Sequence, residues 1–463
     1  MMVMEQNKPA PAGEKMRQSA ADAAVSDLVV GLGATGLSFA RYLKRNGSSA
    51  RFADSRKDAP GQADLQQIFP HAEVQLGPFD AGVLKSVSRL LVSPGVSEQE
   101  PILVEARRRE LEIVSDIEVF AREASAPIVA ITGSNGKSTV TTLVKLMCDA
   151  AGVRGLAGAN LGEPALDLLA AETPDYYVLE LSSFQLQRTR SLSARVAAVL
   201  NVSPDHLDWH GTEDAYRAAK YRIYKGARFA VVNRDDPPPA AAVIGARRTI
   251  SFGADAPDDI QYGLRTEDGI TYLARGKQLL LASHEVALRG RHNYLNALAA
   301  LAIGDLMELP MAAMLQVLHE FPGLPHRMRH VATRRGVEFI NDSKATNTGA
   351  AVASIESVDN TIVLIAGGDG KGGDFSALAR ALQGKLRGAV LMGKDAQRIG
   401  SALADMAPTV FVDDMQQAVA EAANMAVEGD AVLLAPACAS IDQYKNYAQR
   451  GDMFAAAVEA LGR

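Results

Sequence analysis

Ile128-Val129-Ala130-Ile131-Thr132-Gly133-Ser134-Asn135-Gly136-Lys137-Ser138-Thr139 carries an apolar, β-branched run into a glycine turn and on into a stretch, Ser138 to about Ala150, that reads as a helix. A turn of this kind leaves bare N–H groups at a helix N-terminus, where the helix dipole favours phosphate oxygens. Lys137 would add positive charge at the β- and γ-phosphates, and Ser138 would offer a hydroxyl to Mg²⁺. The spelling departs from the common phosphate loop GxxxxGK[ST], because Ile131 stands where its first glycine would be.

Outward from this turn, short β-branched runs alternate with Ala- and Leu-rich helical stretches, the pattern of parallel sheets covered by helices. Leu28–Val30 and Ala50–Ala53 read as strands around a helix at Leu37–Arg45, and this block fades near Asp116–Ser125. A second block opens at Pro127, with further strands at Tyr176–Leu181 and Ala197–Val202. Beyond Pro237 come short pieces such as Gly269-Ile270-Thr271-Tyr272-Leu273 that suggest a small antiparallel sheet, then helices at Tyr294–Leu306 and after Pro310. Phe321-Pro322-Gly323-Leu324-Pro325 reads as a linker. The third block has strands at Val337–Ile340, Thr361–Ala366, Ala389–Met392, Thr409–Val412 and Ala431–Leu434. The expected architecture is α/β in three domains, 27–120, 121–323 and 324–463, after a disordered leader at 1–26.

Composition agrees with that reading. The 463 residues are 48 % hydrophobic and 22 % charged, ordinary values for a folded protein. A net charge of −6 supplies no basic field for nucleic acid or an anionic membrane, so an anionic ligand must be held by local groups. Cys148 and Cys438 make neither a disulfide framework nor a metal-ligand spacing. No apolar stretch reaches the ~18 to 20 residues of a membrane span, and no signal-peptide core precedes Leu28. A cytoplasmic enzyme, monomeric and without nucleic-acid partners, is expected.

A second glycine turn, Gly31-Leu32-Gly33-Ala34-Thr35-Gly36, matches GxGxxG, and Asp54 follows at a distance suited to a ribose hydroxyl. The motif alone says NAD, yet a nucleotide-linked sugar would satisfy the same pyrophosphate and ribose contacts. Glu180 ends the apolar run Tyr176–Leu179 and is followed by Ser182-Ser183-Phe184-Gln185; His206 leaves the next strand in the same way. Strand exits are where an α/β sheet presents ligand-facing groups, and Mg²⁺ takes one or two carboxylates alongside waters and phosphates. Nothing in its spacing marks Lys220, in the helical stretch Tyr216–Arg222, as more than a solvated charge.

Taken in order, TGSNGKST (from Thr132), ELSSFQL (Glu180), NVSPDHLDWH (Asn201), YRAAKYRIY (Tyr216), GRHNYLNALAA (Gly290), GLPHRMR (Gly323), NDSKATN (Asn341), GGDGKGGDF (Gly367) and PACASIDQYKNYAQRGDMF (Pro436) resemble the Mur ligases of peptidoglycan synthesis. ELSSFQL and the last motif are most similar to the D-glutamate-adding branch. The resemblance implies a Rossmann-like UDP-binding domain, a phosphate-loop ATPase-like central domain and a Rossmann-like C-terminal domain. It also implies an ATP-driven amide bond, formed through an acyl phosphate between UDP-N-acetylmuramoyl-L-alanine and D-glutamate.

By the same resemblance, Gly133, Asn135, Gly136, Lys137, Ser138, Thr139, Asn293, Asn296, Arg327 and Asp342 would hold ATP, with closure of the third domain completing its site. Ser138 and Glu180 would hold one Mg²⁺ and His206 a second. Lys220 would be carbamylated by CO₂, which turns an ammonium into an anionic oxygen ligand. Gly33, Thr35, Asp54, Ser55, Ser93, Gly95, Asn160 and His206 would hold the UDP-sugar, and Lys344, Thr346, Lys371, Ser440 and Tyr447 the D-glutamate. Ser55 stands where the family pattern has Thr, and Tyr447 where it often has Phe. Competing readings are a folylpolyglutamate-type or diaminopimelate-adding ligase, which the C-terminal motif opposes, an NAD-dependent oxidoreductase, which leaves the second phosphate loop unexplained, and a non-catalytic UDP-sugar sensor, which needs no magnesium ligands.

Overall fold

The computed structural model describes residues 26–79, 81–288 and 290–462. The expected leader lies outside the described residues except for Ser26, which opens the first strand. Among the described residues there are three sheets, distributed over two compact units. No helix among them is long and apolar enough to cross a membrane.

The first unit comprises residues 26–123 together with 164–171 and 188–190. Its strands β1 (Ser26–Val30), β2 (Ala50–Asp54), β3 (Val74–Leu76), β4 (Val87–Val92) and β5 (Glu112–Val114) form a parallel sheet in the order β3-β2-β1-β4-β5. The order reverses direction between β1 and β4, the topological switch where open α/β sheets bind ligands. The turn after β1 is built on glycine packing: a Cβ on Gly36 would come within 2.0 Å of the Gly31 carbonyl oxygen, whereas one on Gly33 would meet nothing within 4 Å. Gly36 lets the helix Ala34–Arg45 close onto the strand, and Gly33 keeps the space in front of it open.

The second unit holds two sheets. One contains β6 (Ile128–Thr132), β7 (Gly155–Ala159), β8 (Tyr176–Glu180), β9 (Val196–Val199), β10 (Phe229–Asn233) and β11 (Arg248–Phe252), all parallel, then β12 (Tyr262–Glu267), parallel to β11 and antiparallel to β13 (Ile270–Arg275), which pairs antiparallel with β14 (Gln278–Ala282). The antiparallel strands expected beyond Pro237 are thus present, and they continue the parallel sheet through the Phe252–Tyr262 pair. Register aligns Ile131 with Glu180 and Thr132 with Val199, so β6, β8 and β9 end together. β9 stops at Val199, short of the expected Val202; beyond it the main chain still bonds the β6 exit, Leu200 N–H to Thr132 O at 2.9 Å and Ser134 N–H to Asn201 O at 2.8 Å, without a regular ladder. The helix Arg291–Leu306, buried along Ala297–Ile303, shares one core with Val140, Leu143 and Val144 of the helix Lys137–Ala150.

The other sheet has the order β15-β16-β20-β17-β18-β19, from β15 (Arg329–Arg334), β16 (Val337–Asn341), β17 (Ile362–Gly367), β18 (Leu386–Met392), β19 (Thr409–Phe411) and β20 (Ala431–Leu434). β15 runs antiparallel to β16 at one edge, and the central strands β17, β18 and β20 are apolar on both faces, as a helix-covered parallel sheet requires. Ile340, Leu364, Leu391 and Leu433 face one core while Phe339, Val363, Val390 and Val432 face the other.

Candidate active site

In the second unit the ends of β6, β8 and β9 and the loops after β16 and β17 line one cleft of about 350 Å³. Gly136 adopts φ +82° before the helix Lys137–Ala150, and a Cβ there would lie 2.2 Å from Asn296 Oδ1. Only glycine fits both that backbone and that neighbour. Asn201 ties the turn to the β9 exit, accepting from Asn135 N–H at 2.9 Å and donating to Asn135 O at 3.1 Å. Lys137 Nζ donates to the carbonyls of Gly133 and Ser134 at 2.8 and 2.9 Å, and burial pulls its pKa below the usual lysine value.

Glu180 is 2 % exposed; its Oε1 accepts from Asn160 Nδ2 at 2.5 Å, while Oε2 is buried with no partner among the described residues. A buried carboxylate oxygen without a partner, facing a phosphate loop whose Ser138 also lines the cleft, fits a magnesium ligand set. His206 adopts a left-handed conformation, φ +54°, and burial lowers its pKa to about 4. A neutral imidazole able to bind a metal follows. Its ring stands 4.8 Å from that of Phe184, nearly edge-on.

Lys220 lies beneath the turn rather than on the surface. It is 1 % exposed, its Nζ donates to Gly133 O at 2.8 Å and sits 4.6 Å from the Tyr216 ring centroid. Burial holds its pKa well below the ordinary lysine value.

From the later sheet, Arg327, Asp342, Lys344, Thr346 and Lys371 line the same cleft as Asn135–Thr139, Asn160, Glu180, His206, Asn293 and Asn296. Burial lowers the pKa of Arg327 and raises that of Asp342, whose carboxylate accepts from Ser354 Oγ. Lys344 is pushed down to about 8, chiefly by burial, and its Nζ lies 3.8 Å from the Tyr447 ring centroid. Gly133, Lys220, Ser440 and Tyr447 are not among the lining residues.

Several lining or supporting groups were not singled out from the sequence. Asp205, next to His206, accepts from Asn347 Nδ2 at 3.1 Å and stands 4.0 Å from Lys371 Nζ, joining the β9 exit to the C-terminal loops. Its place in the same strand-exit loop as His206 was the available signal. Arg450, 2 % exposed, donates to Ser343 Oγ and to the carbonyls of Ser343, Gly367 and Cys438, tying three strand-exit loops together from behind. Nothing local in the sequence announces that role.

The first unit has its own cleft, lined by Gly33, Thr35, Asp54, Ser55, Ser93 and Gly95. Asp54 accepts from the N–H of Leu32 at 2.7 Å and from Arg56 Nε and Nη2 at 2.8 and 2.7 Å; despite burial, which opposes the charge, these bonds hold its carboxyl down at about 2. Ser93 Oγ donates to Gly31 O at 2.9 Å, joining the turn after β1 to the loop after β4.

Comparison with known proteins follows the same division. The Mur ligase MurD-like N-terminal domain matches residues 25–115, the Mur ligase middle domain 131–304 and the Mur ligase glutamate ligase domain 326–438. The UDP-N-acetylmuramoylalanine–D-glutamate ligase of Nitrosococcus oceani is 48 % identical over 440 residues, 95 % of this chain and 97 % of that one. The enzyme of the same name from Pseudomonas aeruginosa is 50 % identical over 438 residues, 94 % of this chain and 98 % of that one. Among solved structures, the Thermotoga maritima UDP-N-acetylmuramate-alanine ligase superposes with a TM-score of 0.62 at 18 % identity, covering 94 % of this chain and all of that one. The MurF ligase of the same organism, solved with ADP, gives 0.60 at 18 % identity, covering 95 % of this chain and all of that one. These two likenesses speak to the fold. With three domain profiles in sequence and relatives about half identical almost end to end, the chain belongs to the Mur ligase family.

Proposed function

We propose that this chain is an ATP-dependent ligase that joins D-glutamate to the L-alanine carboxylate of UDP-N-acetylmuramoyl-L-alanine, releasing ADP and phosphate, in cytoplasmic peptidoglycan precursor synthesis. The observation that carries the reading is the 48–50 % identity, over at least 94 % of the chain, to ligases of that name.

A free carboxylate is a poor acyl donor because its oxide leaves badly, so the L-alanine carboxylate first takes the γ-phosphoryl group of ATP. The D-glutamate amine then attacks the carbonyl carbon of the acyl phosphate, the tetrahedral adduct loses phosphate, and the amine proton passes to a base. The phosphate turn 133–139, with Lys137 and Arg327, would hold the triphosphate and balance its charge; Asn293, Asn296 and Asp342 would hold the nucleoside. Lys344 and Lys371, with Thr346, Ser440 and Tyr447, would take the carboxylates of D-glutamate by charge-assisted hydrogen bonds. Gly33, Thr35, Asp54, Ser55, Ser93 and Gly95 of the first cleft would take UDP, and Asn160 and His206 the muramoyl end.

Ser138 and Glu180 would hold one Mg²⁺, and His206 with a Lys220 carbamate a second; such ions offset the repulsion between carboxylate and triphosphate. One feature supports the carbamate: Lys220 is buried under the phosphate turn, its Nζ 2.8 Å from Gly133 O. The domain limits 27–120, 121–323 and 324–463 are adopted with this reading. So is a monomer.

The test is phosphate release from ATP with UDP-N-acetylmuramoyl-L-alanine and Mg²⁺, adding D-glutamate, L-glutamate or meso-diaminopimelate in turn, with mass detection of the product. Release coupled to a D-glutamate adduct alone is expected. A product with another acceptor would leave the ligase chemistry standing and overturn the assignments of Ser440 and Tyr447.

A further inference from the structure

One wall of the first unit's cleft is the loop Ser93–Glu98 after β4, of which Ser93, Pro94, Gly95 and Val96 face the cavity. Arg188 stands behind that loop. Its Nη1 donates to Ser93 O at 3.0 Å, Nη2 to Val96 O, and Nε to a carboxylate oxygen of Glu98. The other Glu98 oxygen takes Arg107. The Arg188 side chain is 6 % exposed and does not line the cleft. Its bonds therefore act on the loop's shape, with no hand on a ligand.

These three acceptors belong to one six-residue segment, and a guanidinium presents several donors in a fixed fork, so their relative positions are set together. The same segment is pinned on its cavity side by Ser93 Oγ donating to Gly31 O and by the turn bond from Val96 N–H to Ser93 O at 3.1 Å. Without Arg188, the part-buried Val96 carbonyl loses its side-chain donor, Ser93 O keeps only the Val96 N–H and Glu98 keeps only Arg107, so the loop is free to shift toward water.

We propose that Arg188 is a positioning residue for nucleotide-sugar binding: by clasping Ser93, Val96 and Glu98 it holds Ser93 and Gly95 in the geometry that receives a nucleoside diphosphate. The inference rests on the reading of the first cleft as the UDP site.

The experiment uses the full chain and UDP as the probe, with calorimetry for binding and steady-state kinetics for all three substrates. Arg188→Met is expected to weaken UDP by at least about tenfold and to raise KM for the UDP-sugar by the same factor. KM for ATP, KM for D-glutamate and kcat at saturation stay within about twofold, and Arg188→Lys, with one donor group for three acceptors, falls between. Equal UDP affinity in Arg188→Met and the native chain overturns the clasp, as does a parallel rise of all three KM values with a lowered Tm, the mark of a purely structural residue. Should Arg188→Met fail to fold, Glu98→Gln, which removes the charged acceptor alone, is expected to weaken UDP about threefold, and unchanged affinity overturns the proposal. If the native chain itself binds no UDP, the reading of the cleft fails and the clasp with it; if the native chain binds and the variants bind equally, the clasp alone fails.

Discussion

Asn160 donates to one oxygen of Glu180 at 2.5 Å, and the other oxygen of that carboxylate is buried with no partner among the described residues. A charge held in this way costs stability unless something binds it. Glu180→Gln keeps an acceptor for Asn160 and removes the charge, so it should raise Tm in the absence of nucleotide and metal while lowering kcat by about two orders of magnitude or more. Thermal unfolding and phosphate release on the same preparations check this. A variant that lost stability and kept its turnover would show that the carboxylate is structural.

Lys220 is the residue on which sequence spacing and structure differ most. A helical lysine with no special neighbours in the sequence is 1 % exposed under the phosphate turn, its Nζ 2.8 Å from Gly133 O. Lys220→Ala removes the proposed carbamate and nothing in the first unit's cleft, so turnover should fall by about two orders of magnitude or more while UDP-sugar affinity, measured by calorimetry, stays within about twofold. Isotope-labelled bicarbonate should give a carbamate resonance in the native chain that the variant lacks. Unchanged turnover in Lys220→Ala would remove the carbamate from the mechanism.

Acid should weaken the first unit through Asp54. Its folded pKa, about 2, lies below the ordinary 3.8, so the stabilisation is complete above pH ~4 and is lost as pH falls toward 2. Arg56→Met removes the partner that depresses it. Because Arg56 is 53 % exposed and its pairing is screened, the loss at neutral pH should be only about 1 kcal/mol. Followed by thermal unfolding, the difference between native chain and variant should be widest above pH 4 and shrink toward pH 2. A difference that stayed constant across that range would mean that Arg56 acts through packing and not through the Asp54 charge.

What could be read from the sequence was what is local. Ile128–Thr132 followed by Gly133, Gly136 and Lys137 declares a strand, a phosphate turn and a helix within twelve residues, and Glu180 at the end of an apolar run declares a strand exit; all stand where the spacing put them. β15, Arg329–Arg334, escaped notice because it is a half-exposed antiparallel edge, with polar residues that resemble a loop. Arg188 and Arg450 escaped because most of their acceptors are main-chain carbonyls, and those distant in sequence leave no residue-type signature. Asp205 stood in a quoted motif, but its link to Asn347 spans 142 residues and exists only once the sheets are placed.

Gly136 tests how tightly the phosphate turn is shaped. Its φ of +82° disfavours any side chain, and a Cβ would be driven to 2.2 Å from Asn296 Oδ1, a group itself proposed to face the nucleotide. Gly136→Ala therefore pays twice, in backbone strain of about 1–3 kcal/mol and in displacement of Asn296. The expected outcome is a lowered Tm together with a large rise in KM for ATP, while UDP affinity in the first cleft is unchanged. Adding Asn296→Gly to Gly136→Ala removes the clash and leaves the strained φ, so it should restore part of the lost Tm without restoring ATP turnover. Full recovery of turnover in the double variant would show that the turn tolerates the methyl group and that Asn296 has no part in holding ATP.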